Sequence, residues 1–101
     1  MILYNVTVNV EDSIHVEWLS WMKKTHIPDV IKTAKFTSGK IFRLIGDEDS
    51  GGKTYSIQYT CNSMNDFLEY EQNHAKALRD EHTSKFKDKF VAFRSLLESI
   101  D

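Results

Sequence analysis

The chain has 101 residues, 41% of them apolar and 12% aromatic, enough to bury roughly two-thirds of the unfolded surface in one core without disulfide staples. With 13 basic and 15 acidic residues the net charge is −2, and no basic run forms the stripe that a polyanion needs, which argues against nucleic acid as a partner. No segment approaches the roughly 20 apolar residues of a membrane-spanning helix, the N-terminal stretch lacks the basic start and apolar core of a signal peptide, and Cys61 has no second cysteine to pair with; a cytoplasmic protein is expected.

The first residues alternate. Ile2, Tyr4, Val6, Val8 and Val10 fall on one face and Leu3, Asn5, Thr7 and Asn9 on the other, the pattern of a half-buried strand. Asp12 or Ser13 is placed to cap a helix whose apolar arc is Ile14, Trp18, Leu19, Trp21 and Met22. Pro28 disfavours helical geometry at Ile27, so this helix should break near His26, and "PDVIKT" should start a second, short one. His26 would then sit at a helix C-terminus, bordering the buried arc, where the dipole favours an imidazolium.

Two β-rich runs follow, 35–45 and 53–61, joined by the acidic, glycine-rich "GDEDSGG" that suits a hairpin tip. This tip is neither a phosphate loop nor a calcium loop. The phosphate motif requires glycine where Asp47 stands and a helix rather than a strand after it, and a calcium loop begun at Asp47 requires glutamate where Gln58 stands. Ser63, followed by Asp66, starts a long helix over 64–84, and residues 89–100 form a last strand. The order β-α-β-β-α-β is the ferredoxin-like arrangement: α+β, with a four-stranded antiparallel sheet and helices on one face, in a single domain over 1–101.

RNA-recognition modules share this topology and stack bases on strand aromatics. Tyr4 and Tyr55 stand roughly at such positions, but "KTYSIQYT" lacks the small-residue pattern and Tyr59 falls one residue early. The other face of the sheet is more informative. Asn5, Thr7 and Asn9 would sit beside Ser56, Gln58 and Thr60, an uncharged polar set in a chain with 28% charged residues, which suggests partial burial against a second subunit's sheet.

The segment "EYEQNHAKALRDEH" carries the candidate chemistry. Phe67, Leu68, Ala75 and Leu78 define an apolar stripe that Glu71 and His82 interrupt, with His74 flanking. A buried carboxylate needs a partner, and His74, Arg43, Arg94 or a ligand are the candidates for Glu71. No metal is expected: His74 and His82 are eight residues apart, about 12 Å along a helix, too far to share one ion.

"ILYNVTVNV", "WLSWMKKTHIPDVIKT", "TYSIQY", "NHAKALRDEHTSKF" and "KFVAFRSLLESID" together resemble an uncharacterised bacterial domain-of-unknown-function family of short proteins, over essentially the whole chain. That family looks like a member of the dimeric α+β barrel superfamily, which includes antibiotic-biosynthesis monooxygenases and haem-degrading enzymes. The resemblance implies a homodimer with facing sheets. The haem-degrading relatives use a first-strand asparagine, a tryptophan near the end of the third strand and a late second-helix histidine. Asn5 or Asn9 and His82 match the first and last, whereas Tyr59 and Cys61 stand where the tryptophan is required. The expected function is small-molecule binding or cofactor-independent, monooxygenase-like catalysis, with Glu71, His74, His82 or His26 as acid/base and Tyr59, Arg94 and Trp18 binding substrate. No cofactor is invoked. The alternatives are a non-catalytic dimeric module and a haem-binding or haem-degrading protein.

Overall fold

Residues 1–46 and 51–100 are described by a computed structural model of the chain; the hairpin tip at Asp47 to Ser50 and the calcium-loop position Asp47 lie outside them. Alternation in the first strand, β1 (Ile2–Glu11), sends Tyr4, Val8 and Val10 into the core. Next come α1 (His15–Trp21), α2 (Ile27–Lys32), β2 (Ser38–Arg43), β3 (Gly52–Cys61), α3 (Met64–Asn73), α4 (Ala75–Lys85) and β4 (Phe90–Glu98). The sheet is antiparallel in the order β2-β3-β1-β4, the ferredoxin-like topology. Its two central strands pair Tyr4 with Tyr59, Val6 with Ile57 and Val8 with Tyr55, so one face is aromatic and aliphatic. Trp18, Met22, Val30, Phe67, Tyr70 and Phe86 from the helical layer bury that face.

Three local expectations are corrected. The first helix is not capped by Asp12 or Ser13: a 3₁₀ turn, Asp12–Ile14, leads into α1, and no side chain caps either element. Nor does the helix break near His26. Ile27 stays helical (φ −61, ψ −46) and its N–H reaches back five residues to the Met22 carbonyl, so Met22–His26 is a π-helical turn that joins α1 to α2. The cause is Pro28. Its ring would strike the carbonyl four residues back in a regular helix and it has no N–H to offer, and a widened turn just before it removes the conflict while keeping the chain helical.

The long helix expected over 64–84 is two helices. Ser63 caps α3 through a bond from the Asp66 N–H (3.2 Å), but His74 leaves the helical region (φ −131, ψ −34) and α4 begins afresh at Ala75. The interruption changes which residues face inward: Phe67, Tyr70, Ala75 and His82 are buried, while Leu68 is 48% exposed. Gly39 on β2 matters for its missing side chain. A Cβ there would lie 2.9 Å from the Tyr59 ring, so glycine lets that tyrosine lie flat against the edge strand.

Among the described residues no helix covers the sheet's other face. At its centre Ser56 donates to Asn5 (2.6 Å), Asn5 donates to Thr7 (3.0 Å), and Asn9 donates to Thr54 (2.8 Å), which gathers the expected uncharged polar residues. Either side of them, Phe42 on β2 and Val91, Phe93 and Leu97 on β4 are 48–73% exposed.

Candidate functional site

Between the helical layer and the sheet runs a cleft of about 40 Å³ that opens toward solvent at its mouth. That is room for a few waters in the depth, with further space at the mouth. Tyr4, Ile57 and Tyr59 form its floor. Met22 and His26 come from the π-helical turn, Tyr70 from α3, Arg79 and His82 from α4, and Arg94 from β4. The π turn is thus what carries His26 to the cleft rather than to a helix end.

His26 and His82 meet edge to face, with ring centres 5.8 Å apart, and Trp21 flanks both. Burial lowers the pKa of each to about 4; the nearby Arg94 charge adds to this at both rings, His26 adds to it at His82, and Asp29 opposes it at His26. Both imidazoles are therefore neutral at pH 7. The ring nitrogens differ in their commitments. His82 Nε2 accepts from the Trp18 indole N–H at 2.9 Å, which puts the His82 proton on Nδ1. His26 Nδ1 is buried and has no hydrogen-bond partner among the described residues.

Arg79 pairs through Nη2 with Glu71, and its buried Nε is likewise without a partner. Eight residues would separate the two by about 12 Å along a straight helix. The interruption at His74, together with the reach of the arginine back along the helix, closes the gap. Glu71 therefore has a partner that sequence reasoning did not consider: it is neither His74 nor Arg43 nor Arg94. Tyr59 and Tyr70 are pushed by burial to pKa values well above that of free tyrosine, so their hydroxyls remain protonated.

Of the residues singled out from the sequence, His26, His82, Tyr59 and Arg94 line the cleft together. Trp18 is fully buried behind His82, and Glu71 stands back against Arg79. His74 stacks on Tyr70 (6.4 Å) and lines a separate shallow depression with Gln72 and Lys76. Arg79, Tyr4 and Tyr70 were missed. The first depends on the helix interruption, and the tyrosines are indistinguishable in sequence from ordinary core aromatics. Asn5 and Asn9 lie on the opposite face of the sheet from His82. Among the described residues no group of three or more His, Cys, Asp or Glu could hold a metal ion, and no helix is long and apolar enough to cross a membrane.

The fold is similar to that of SnoaB, a cofactor-independent oxygenase from Streptomyces nogalater crystallised as a mutant (TM-score 0.71, 11% identity, 99% of this chain and 94% of that one). It is also similar to an antibiotic biosynthesis monooxygenase (0.68, 8%, 100% of both chains) and to a dimeric ferredoxin-like protein from an uncultured marine organism (0.71, 10%, 100% and 96%). Likeness at these identities establishes fold, not activity. No curated protein matches the chain in sequence. Residues 1–100 match the family model described as a domain of unknown function, DUF4286, and the chain belongs to that family.

Proposed function

We propose that the protein is a homodimer, paired through its open sheet faces, that binds a small, largely apolar molecule in the helix–sheet cleft and acts on it in a monooxygenase-like way. The observation that carries this reading is the neutral His26 with a buried, uncommitted Nδ1 on a cleft of aromatic walls and arginine charge. A neutral imidazole can take a proton from an acidic C–H or O–H. Its basicity is low in the free protein, and negative charge developing on a substrate beside it would raise it, so proton transfer is favoured where the carbanion or phenolate forms. With a substrate methylene and dioxygen the balance is R₂CH₂ + O₂ giving R₂C=O and water: two C–H bonds are lost, one oxygen atom enters the carbonyl and the other leaves as water.

A non-catalytic module has one observation in its favour. The Trp18 to His82 bond and the Glu71 to Arg79 pair tie four of the chain's unusual polar groups to one another, so His82 and Glu71 have structural employment. Haem does not fit this donor set. His82 would have to release its indole partner to ligate iron, and Asn5 and Asn9 lie across the sheet from it.

The test is ligand-observed NMR with a set of one- and two-ring aromatic acids, phenols and amides, mapped on the indole N–H signals of Trp18 and Trp21. Binders that shift these signals and are displaced in His26→Trp support the reading, and oxygen uptake in the presence of a binder with an acidic C–H supports its catalytic half. A set that yields no binder, or binders insensitive to the cleft variant, leaves the non-catalytic module.

A further inference from the structure

Among the described residues two buried side-chain nitrogens have no hydrogen-bond partner, His26 Nδ1 and Arg79 Nε, and both belong to residues that line the same cleft. A buried polar atom without a partner is costly, of order 1–3 kcal/mol, and native structures keep few of them, so two on residues lining one cavity, the Arg79 Nε–H and the His26 Nδ1, mark it as built around a polar ligand group. The charges say which kind. Among the described residues no carboxylate lines the cleft. Glu71, standing behind, neutralises Arg79, whereas Arg94 has no ion-pair partner among the described residues, so the lining carries one uncompensated positive charge. Arg94 acts on His26, His82 and Tyr70, and at His26 the Asp29 carboxylate, outside the lining, acts more strongly with the opposite sign.

We infer that the ligand of this cleft is a small aromatic monocarboxylate, its carboxylate held between the free Nε–H of Arg79 and the guanidinium of Arg94 and its ring lying among Tyr4, Tyr59 and Tyr70. This rests on the cleft being a small-molecule site, as proposed above, and adds the substrate class. The unpartnered Arg79 Nε, on a guanidinium that also interacts with Glu71 and Tyr4, and the unpaired Arg94 match the two oxygens and single charge of a carboxylate better than the double charge of a phosphate dianion. Glu71 is the competitor. It occupies Arg79 Nη2 and tempers the guanidinium, so it limits affinity for an anion without touching it.

The experiment is calorimetric titration of the intact protein with 2-naphthoate and, as its uncharged twin, 2-naphthamide. The acid is expected to bind at least about tenfold more tightly, the equivalent of one charge-assisted hydrogen bond. Arg94→Gln, at a largely exposed and unpaired position that leaves the core intact, should remove most of this preference, and Glu71→Gln should tighten 2-naphthoate while leaving 2-naphthamide unchanged. Equal binding of acid and amide, or a preference indifferent to Arg94→Gln, overturns the carboxylate assignment and leaves the small-molecule site standing. Binding of neither compound, with no change at the Trp18 and Trp21 indole signals, overturns both.

Discussion

The Trp18 indole donates to His82 Nε2 at 2.9 Å across 64 positions of sequence, tying α1 to α4 inside the core. Trp18 is completely buried and His82 is 8% exposed, so neither group has water as a substitute partner. Trp18→Phe removes the donor and leaves the imidazole nitrogen unsatisfied. Adding the smaller ring's packing deficit, the expected loss is about 3 kcal/mol, read as a lower urea midpoint. Adding His82→Leu to Trp18→Phe should cost less than the two single losses combined, because no orphaned acceptor remains. Strictly additive losses would mean the bond contributes nothing.

The two cleft histidines make stability depend on pH. Each has a folded pKa lowered from 6.5 to about 4, so the unfolded chain binds protons in a range where the folded one does not. Stability from this source is full above about pH 6.5 and falls as the pH drops toward 4, by on the order of 3 kcal/mol per histidine at most. Urea unfolding at half-unit pH steps should show that decline. His26→Asn should remove roughly half of it, and an unchanged profile in that variant would mean that His26 is protonated in the folded state.

The strands, the uncharged polar face and the capping by Ser63 were legible because each is a local pattern: alternation, composition, or a residue pair three apart. The two interruptions were not. The rule that the residue before a proline avoids helical geometry is sound on average, yet Ile27 departs from it, and the wider turn before Pro28 keeps the chain helical with less disruption than a break. His74 carries no helix-breaking side chain, so nothing local marks the break between the buried Tyr70 and Ala75. Both misreadings displaced the site: one assigned His26 to a helix end, the other hid Arg79. His26 and His82 were recognisable as polar residues in or beside apolar helix faces, and Tyr59 and Arg94 were expected to bind substrate, but the meeting of all four in one cleft is a property of the fold.

Ala34, just beyond α2, has φ 64, a left-handed conformation that a Cβ makes unfavourable. Its N–H bonds the Ile31 carbonyl at 3.0 Å to close the helix, so the conformation has to be kept. Ala34→Gly relieves the strain without disturbing a buried contact and should stabilise the protein by about 0.5–1 kcal/mol despite the extra freedom of the unfolded chain. Thermal unfolding at pH 7 measures this directly, and a lower midpoint would show that the turn is not strained.

The open sheet face supports pairing through a specific layout. A hydrogen-bonded polar network runs along its middle, from Ser56 through Asn5 to Thr7, so those groups satisfy one another in part and can be covered at reduced cost. Phe42 on one side and Val91, Phe93 and Leu97 on the other are exposed without need, and monomers seldom leave such residues together on one face. Phe93 lies opposite Thr7 on the central strand, 63% exposed, where a facing sheet would bury it. Phe93→Lys keeps the monomer's core intact but places a charge where a dimer would exclude water. Sedimentation equilibrium should find the unsubstituted protein as a dimer at micromolar concentration and Phe93→Lys as a monomer, with circular dichroism unchanged. A Phe93→Lys protein that still sediments as a dimer would move the interface elsewhere, and an unsubstituted protein that sediments as a monomer would remove the homodimer from the proposal while leaving the cleft and its arginines as they are.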